Sequence, residues 1–206
     1  FYRSRLASAE GQLAREYLAA RGLDDAIIEL YQLGFAPGAG TALYNSASEE
    51  LRKPLIETGT VSDRYGRPRD LFRNRVMFPI RNTRGRTVAF GGRTLGDDKA
   101  KYINSPESDA FHKSREIYGL FEARQALRRI DKLLVVEGYM DVIALHGAGF
   151  EAAVAPLGTA ITENQLQMLW RIAPEPIITL DGDAAGQRAA LRLIDLALPL
   201  LEAGQS

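Results

Sequence analysis

The second half of the chain alternates short, mainly apolar runs with segments of helical periodicity. The apolar runs lie at 133–136, 152–155 and 176–180. The helical segments that follow them lie at 139–146, at 166–171 after the capping pair Thr162 and Gln165, and at about 184–201. This β-α-β-α-β-α order predicts a parallel sheet with right-handed crossovers.

The first half of the chain combines helices with a β-rich middle. Residues 1–34 have helical patterning, with a stop at Gly22 and a second helix that Asp24 caps and that continues through Leu33. A further helix is predicted at 48–58. Runs at 75–80 and 87–90 flank the turn 82–86 and predict a hairpin, in which Pro79 favours an edge strand or a strand end.

Together these patterns predict an α/β protein of two domains. The first, residues 1–129, is a mixed α+β basic subdomain, and the second, residues 130–206, carries the parallel sheet with flanking helices.

Composition narrows the chemistry that this chain supports. Its 206 residues are 46% hydrophobic and 25% charged, which is typical of a globular protein and argues against intrinsic disorder and fibrous repeats. No apolar run is long enough to span a membrane, and no signal peptide is present, so a cytosolic protein is expected. Cysteine is absent, and His112 and His146 are the only histidines, so a bound metal would be a hard cation held by oxygen.

The net charge of zero hides two blocks of opposite sign. Residues 52–115 contain 15 basic and 7 acidic residues, and residues 131–206 contain 4 basic and 10 acidic residues. The basic block suits phosphate groups and the acidic block suits divalent cations. Two solvated faces that merely differ in sign are the alternative.

Acidic residues follow two of the predicted parallel strands. Glu137 comes directly after the first strand, Asp181 and Asp183 follow the third, and Asp141 lies one helical turn beyond Glu137. Because ligands gather at the carboxyl ends of parallel strands, three or four carboxylates are expected to converge there. Their mutual repulsion requires a cation, and Mg²⁺ suits oxygen ligands. For Asp183, a helix cap is the strong alternative.

These motifs resemble a known family. The segments Leu134–Asp141 and Leu180–Gly186 resemble the Toprim domain of primases, topoisomerases and some nucleases. Upstream segments resemble the catalytic core of DnaG-type bacterial primases: 33–37, 73–80, 90–93, 101–107, 111–113 and 118–120. The resemblance extends in order over nearly the whole chain.

The resemblance implies a nucleotidyltransferase that makes RNA primers from NTPs on single-stranded DNA. Glu137, Asp181 and Asp183 would bind Mg²⁺ or Mn²⁺, and Asp141 matches a further acid of the same motif. A 3′-hydroxyl would attack the α-phosphate of an incoming NTP, and pyrophosphate would leave. No protein nucleophile is required, in agreement with the absence of Ser-His or Cys-His pairing.

The resemblance also assigns residues to nucleotide and DNA binding. Those that match the segment lining the nucleotide and template groove are Arg93, Lys101, Tyr102 and Asn104, and those that match positions close to bound nucleotide are Gly138 and Met140. Further candidates for phosphate contact are Arg73, Arg75, Arg81 and Lys113. Taken singly, most arginines are solvated surface charges; Arg93, directly after Gly91 and Gly92, is the exception we expect.

The resemblance further implies a larger protein in a bacterial, cytoplasmic replisome or primosome. Family members carry an N-terminal zinc-binding module and a further acidic pair downstream, so the resemblance implies that this chain is a fragment whose second domain is incomplete at its C-terminal end. Contacts with the replicative helicase and single-strand-binding protein would involve other domains. The alternatives are a Toprim nuclease or topoisomerase, and a non-catalytic recombination mediator.

Overall fold

The computed structural model describes residues 1–128, 132–158 and 160–206, without the side chain of Tyr65. The chain forms two compact units. Unit 1 comprises Phe1–Ile80 and Thr87–His112, and unit 2 comprises Arg81–Arg86 and Lys113–Ser206. The predicted domain boundary between 129 and 130 lies outside the described residues and stays a prediction.

Unit 1 begins with short helices. They are α1 (Tyr2–Ala7), α2 (Gln12–Ala20), α3 (Asp25–Leu30), α4 (Ala42–Ser46) and α5 (Glu49–Glu57). The predicted cap is confirmed, since the Asp24 side chain accepts a hydrogen bond from the Ile27 amide at 2.8 Å. Helix α3 ends at Leu30 rather than at Leu33, because Gln32 adopts a left-handed φ of 52° and turns the chain into a strand.

The strands of unit 1 form a four-stranded sheet and a two-stranded ribbon. In chain order they are β1 (Gly34–Ala36), β2 (Val61–Ser62), β3 (Arg69–Asp70), β4 (Arg75–Arg81), β5 (Thr87–Thr94) and β6 (Tyr102–Asn104). The larger sheet has the order β1-β4-β5-β6, and β2 pairs with β3. The predicted hairpin between β4 and β5 is confirmed, and at its turn the Asn82 amide donates to the Arg86 carbonyl at 2.9 Å.

Pro79 does not mark an edge strand. Strand β4 lies between β1 and β5, so the edge alternative is wrong, while Pro79 lies two residues before the end of β4 at Arg81, as the strand-end alternative expects. The short β1 explains why proline is tolerated: its last partner is Met77, opposite Gly34, and the ladder on that side ends before Pro79.

Unit 2 contains the predicted parallel sheet. Its elements in chain order are β7 (Ile117–Tyr118), α6 (Leu120–Ala126), β8 (Leu134–Val135), α7 (Tyr139–Gly147), β9 (Ala153–Pro156), α8 (Glu163–Trp170), β10 (Ile177–Ile178) and α9 (Ala184–Ala197). The strand order is β10-β8-β9-β7. Strands β10, β8 and β9 are parallel as predicted, while β7 pairs antiparallel with β9 and was not predicted.

The core of unit 2 forms where helices cover this sheet. Val135 of β8 and Val154 of β9 pack with Leu120 of α6 and Leu169 of α8, and all four side chains are buried. No helix in the described part of the chain is long and apolar enough to cross a membrane.

Helix α8 begins with the predicted capping box. The Thr162 hydroxyl accepts from the Gln165 amide at 3.2 Å and donates to the Ser114 carbonyl at 2.9 Å, while the Gln165 side chain accepts from the Thr162 amide at 3.0 Å. Satisfying these groups stabilises the first turn of the helix.

Thr162→Ala is therefore expected to lower the free energy of unfolding of unit 2 by about 1–2 kcal/mol. Urea unfolding followed by fluorescence of Trp170, the only tryptophan, measures this loss. Thr162→Ser keeps the hydroxyl and is the matched control. An equal loss for both variants would show that the hydroxyl does not stabilise the helix.

Candidate functional site

Three of the predicted acidic residues line one cavity in unit 2. Glu137 follows β8, and Asp181 and Asp183 follow β10, around a volume of about 410 Å³. Strands β8 and β10 are parallel neighbours, so their carboxyl ends meet at one edge of the sheet. This cavity, which we call the acidic cavity, also has Arg192 in its wall.

Backbone amides hold two of these carboxylates in place. Oε1 of Glu137 accepts a hydrogen bond from the Asp181 amide at 2.8 Å. Oδ1 of Asp183 accepts from the amides of Ala185 and Gly186, each at 2.8 Å, and so caps helix α9. The capping alternative for Asp183 is therefore correct, and it leaves the second oxygen, Oδ2, without a hydrogen-bond donor among the described residues.

Gly186 is required for this close approach of helix and strand end. A Cβ atom at this position would lie 1.9 Å from the Asp181 carbonyl oxygen, so any side chain would force the two segments apart. The sequence Asp181-Gly-Asp-Ala-Ala-Gly186 thus sets the spacing between both aspartates and the first turn of α9.

The carboxylates converge less closely than the sequence predicts. Among the described residues, no three Asp, Glu or His side chains lie close enough to hold one metal ion. Glu137 and Asp183 each give one carboxylate oxygen to backbone amides. Asp141 lies exposed in the first turn of α7 and is not among the residues that line the cavity.

The carboxylate oxygens of these acidic residues are chemically suited to bind a hard divalent cation. Glu137, Asp141, Asp181 and Asp183 are exposed, and within the described ranges none of them forms an ion pair with lysine or arginine. Carboxylate oxygens are the ligands that Mg²⁺ and Mn²⁺ prefer. Gly138, at the N-cap of α7, and Met140, buried in its first turn, adjoin Glu137 along the chain.

Three of the predicted nucleic-acid residues share one face of the β5–β6 pair. Arg93 lies directly opposite Tyr102, and Gly91 lies directly opposite Asn104. Directly opposed residues of an antiparallel pair project from the same face, and alternate residues along a strand do so too. Lys101 immediately precedes β6, next to Tyr102 in the chain, and is exposed. We call Arg93, Tyr102 and Asn104, together with the adjacent Lys101, the basic face of unit 1.

Arg93 stacks on an aromatic ring. Its Cζ lies 4.1 Å from the centroid of the Tyr17 ring of α2, and Nη1 donates to the Thr94 carbonyl at 2.9 Å. Arg21 approaches the same ring at 5.3 Å. Arg21 was not predicted, although its spacing of four residues from Tyr17 at a helix end was a usable signal.

Arg75 is directed into the protein. Its guanidinium donates to the carbonyls of Gly92 (3.1 Å), Ala100 (3.0 Å) and Lys101 (3.3 Å), and it pairs with Asp98 at 3.2 Å. Burial lowers the pKa of Arg75 below its ordinary value, while Asp98 acts in the opposite direction. Arg75 thus anchors the segment that leads to Lys101, and its contact with phosphate stays a prediction.

Arg81 also lies inside the protein. It forms an ion pair with Glu122, in which both side chains are more than nine-tenths buried, and its Cζ lies 5.4 Å from the Phe121 ring. Lys113 is half-buried, and its carbonyl accepts from Gln165. Arg73 is exposed in unit 1. The phosphate contacts predicted for these three residues stay predictions.

Two family models match the chain. Residues 1–124 match a family described as the DNA primase catalytic core, N-terminal domain, and residues 131–205 match the Toprim domain.

Curated relatives are similar along the whole chain. The chain is 48% identical over 208 residues to a DNA primase of Pasteurella multocida and 47% identical over 208 residues to that of Escherichia coli K12. All of the chain is covered in both, with 35% and 36% of the relative, so the chain spans about a third of their length.

Solved structures are similar to the chain as well. A DnaG primase catalytic domain bound to single-stranded DNA has a TM-score of 0.93 and 45% identity, covering all of this chain and 65% of that one. A primase domain from Pseudomonas aeruginosa has a TM-score of 0.93 and 46% identity, again covering all of this chain and 65% of that one.

Proposed function

Because this chain belongs to the DnaG-type bacterial DNA primases, we propose that it contributes the nucleotidyltransferase site that joins ribonucleotides on a single-stranded DNA template. The observation that supports this most directly is the likeness, over the whole chain, to a catalytic domain bound to single-stranded DNA. The acidic cavity of unit 2 and the basic face of unit 1 supply the two chemistries that such a reaction requires.

Glu137, Asp181 and Asp183 would hold Mg²⁺ or Mn²⁺, and Asp141 would supplement them. When bound, the divalent cation lowers the pKa of the primer hydroxyl and stabilises the charge that develops on the phosphate. Holding it would bring free carboxylate oxygens of Glu137 and Asp183 together while their bonded oxygens keep the amides of Asp181, Ala185 and Gly186.

The basic face would bind phosphate groups of the template and the incoming NTP. Arg93, Lys101 and the exposed Arg73 provide the positive charge, and contacts to phosphate position a strand without reading its sequence. Tyr102, which is 40% exposed, offers a ring on which a base can stack. The proposed roles of Asn104, Gly138, Met140, Arg75, Arg81 and Lys113 follow from the family resemblance.

We extend the proposal to the setting of the whole protein. Its substrates would be NTPs and single-stranded DNA, its product an RNA primer, and its location the bacterial replisome in the cytoplasm. The replicative helicase and single-strand-binding protein would be partners. Residues 1–129 and 130–206 would form its N-terminal basic and Toprim domains.

Lys101→Ala is expected to weaken binding to a single-stranded oligonucleotide several-fold and to lower the salt dependence, because one phosphate contact accounts for a slope of about 0.7 in the logarithmic plot. Fluorescence anisotropy at several salt concentrations measures both quantities. Lys53→Ala is the control, since Lys53 is 84% exposed on α5. Equal losses for both lysines would remove the basic face from the proposal.

A gel assay tests the proposed reaction directly. The chain is incubated with single-stranded template, four NTPs and Mg²⁺ or Mn²⁺, and labelled products are followed in time. Primers that lengthen support nucleotidyl transfer. Shortening of the template without primer synthesis would instead identify a nuclease that uses the same carboxylates.

A further inference from the structure

Two arginines of unit 1 are gathered on one aromatic ring. The Cζ atoms of Arg93 and Arg21 lie 4.1 Å and 5.3 Å from the centroid of the Tyr17 ring. The two Cζ atoms are therefore no farther apart than the sum of these distances. Arg93 belongs to β5 and Arg21 to the C-cap of α2, so the ring of Tyr17 connects two separate elements.

This pair of positive charges is not neutralised by the protein. Within the described parts of the chain neither arginine forms an ion pair. Arg93 makes one hydrogen bond, to the adjacent Thr94 carbonyl, and its Nε is buried without a partner among the described residues. A guanidinium carries five N–H donors, so most donors of this pair are unused.

Arg75 shows how a structural arginine differs in the same unit. It is buried and directs its donors to three backbone carbonyls and to Asp98. Arg93 and Arg21 instead meet the face of a ring, which attracts a cation without consuming its N–H groups. An arrangement that places two positive charges close together and leaves their N–H groups available suits an anion with several oxygens.

We propose that Tyr17 is a positioning residue, whose ring holds the guanidinium groups of Arg93 and Arg21 ready for phosphate groups of DNA or NTP. This inference rests on the proposed function, because it assigns the residue that prearranges part of the basic face. Because the two long side chains are already ordered in the free protein, less conformational entropy is lost on binding, and the affinity is higher. The Tyr17 hydroxyl has no role in it, being buried without a partner among the described residues.

A series of substitutions at position 17 separates the ring's electrostatics from its shape. Tyr17→Phe keeps the ring face and is expected to leave affinity within twofold. Tyr17→pentafluoro-Phe keeps the shape but reverses the charge distribution of the ring, and Tyr17→Leu removes the ring. Both are expected to weaken binding about fivefold to tenfold.

The matched control is a second arginine on a tyrosine in the same unit. The Cζ of Arg52 lies 5.0 Å from the Tyr44 ring, and Nε of Arg52 is likewise buried without a partner among the described residues. Tyr44→Leu removes a comparable contact outside the basic face and is expected to leave affinity unchanged. Equal weakening by Tyr44→Leu and Tyr17→Leu would indicate a general loss of structure and overturn the proposal.

Two titrations, one with single-stranded DNA and one with an NTP alone, tell the sources of phosphate apart. The same titrations in the Arg93→Ala background complete a double-mutant cycle. If Tyr17 acts through Arg93, replacing Tyr17 by pentafluoro-Phe in the Arg93→Ala background weakens binding at most a further twofold. That remaining loss is the part that depends on Arg21. An undiminished loss in that background would mean that the ring acts independently of Arg93, and would overturn the proposal.

Failure of this inference is distinguishable from failure of the proposed function. If Arg93→Ala and Lys101→Ala weaken binding but the ring series at position 17 does not, only the role of Tyr17 is refuted. If neither Arg93→Ala nor Lys101→Ala changes either titration, the basic face itself is refuted, and the role of Tyr17 with it.

Discussion

Glu137→Gln is expected to reduce the rate of primer synthesis about a thousandfold. Metal-assisted phosphoryl transfer gains several kcal/mol from the bound cation, and each 1.4 kcal/mol corresponds to about tenfold in rate. Glutamine has nearly the same shape, and its amide oxygen can still accept the hydrogen bond from the Asp181 amide. The substitution therefore removes a negative charge from the acidic cavity without removing the contact that positions Asp181.

The control for this variant is Glu175→Gln. Glu175 is exposed in the same unit and lies just before β10, at the end of that strand opposite to Asp181. We expect it to retain full activity. Mn²⁺ binding, followed by electron paramagnetic resonance, should weaken for Glu137→Gln and not for Glu175→Gln. Unchanged Mn²⁺ affinity in Glu137→Gln would show that this carboxylate is not a ligand.

Glu122→Ala is expected to destabilise unit 2 by about 3–5 kcal/mol, because it leaves the Arg81 guanidinium buried without its carboxylate. In the ion pair, 9% of the Arg81 side chain and 5% of the Glu122 side chain are exposed. Urea unfolding monitored by Trp170, which is buried in the same unit, measures the loss.

Two further variants identify the cause of this loss. Replacing both partners, Arg81→Met with Glu122→Leu, should recover most of the stability, since no unpaired charge then remains buried. Glu163→Gln alters an exposed acid that accepts a hydrogen bond from Gln167 at 3.2 Å and should cost less than about 0.5 kcal/mol. A double variant as unstable as Glu122→Ala would show that packing, rather than the unpaired charge, dominates.

Local sequence patterns determine several helices and strands of this protein. Asp24 and the pair Thr162 and Gln165 cap the helices predicted for them, because capping depends on residues three positions apart. The alternation of apolar runs and helices predicts the parallel part of the sheet in unit 2. Since ligands gather at the carboxyl ends of such strands, the same pattern places Glu137 and Asp181 at one edge.

Pairing between distant segments is what the tertiary structure decides. Strand β7 consists of Ile117 and Tyr118 between Glu116 and Gly119, so no apolar run indicates it, and it pairs with the edge of β9. Pro79 is tolerated in an inner strand because its neighbour β1 is short, which no property of Pro79 indicates.

Arginines illustrate the same division at the candidate site. The sequence determines by itself that residues 52–115 are rich in arginine and lysine, since net charge needs no fold. It does not determine which of them face a ligand. Arg75 meets Asp98 across 23 positions, and Arg81 meets Glu122 across 41. Arg93 meets Tyr17 of α2, far earlier in the chain. Whether each guanidinium faces a ligand or the protein interior depends on a partner that only the packing of helices and strands brings close. Periodicity and capping, in contrast, act over a few neighbouring residues.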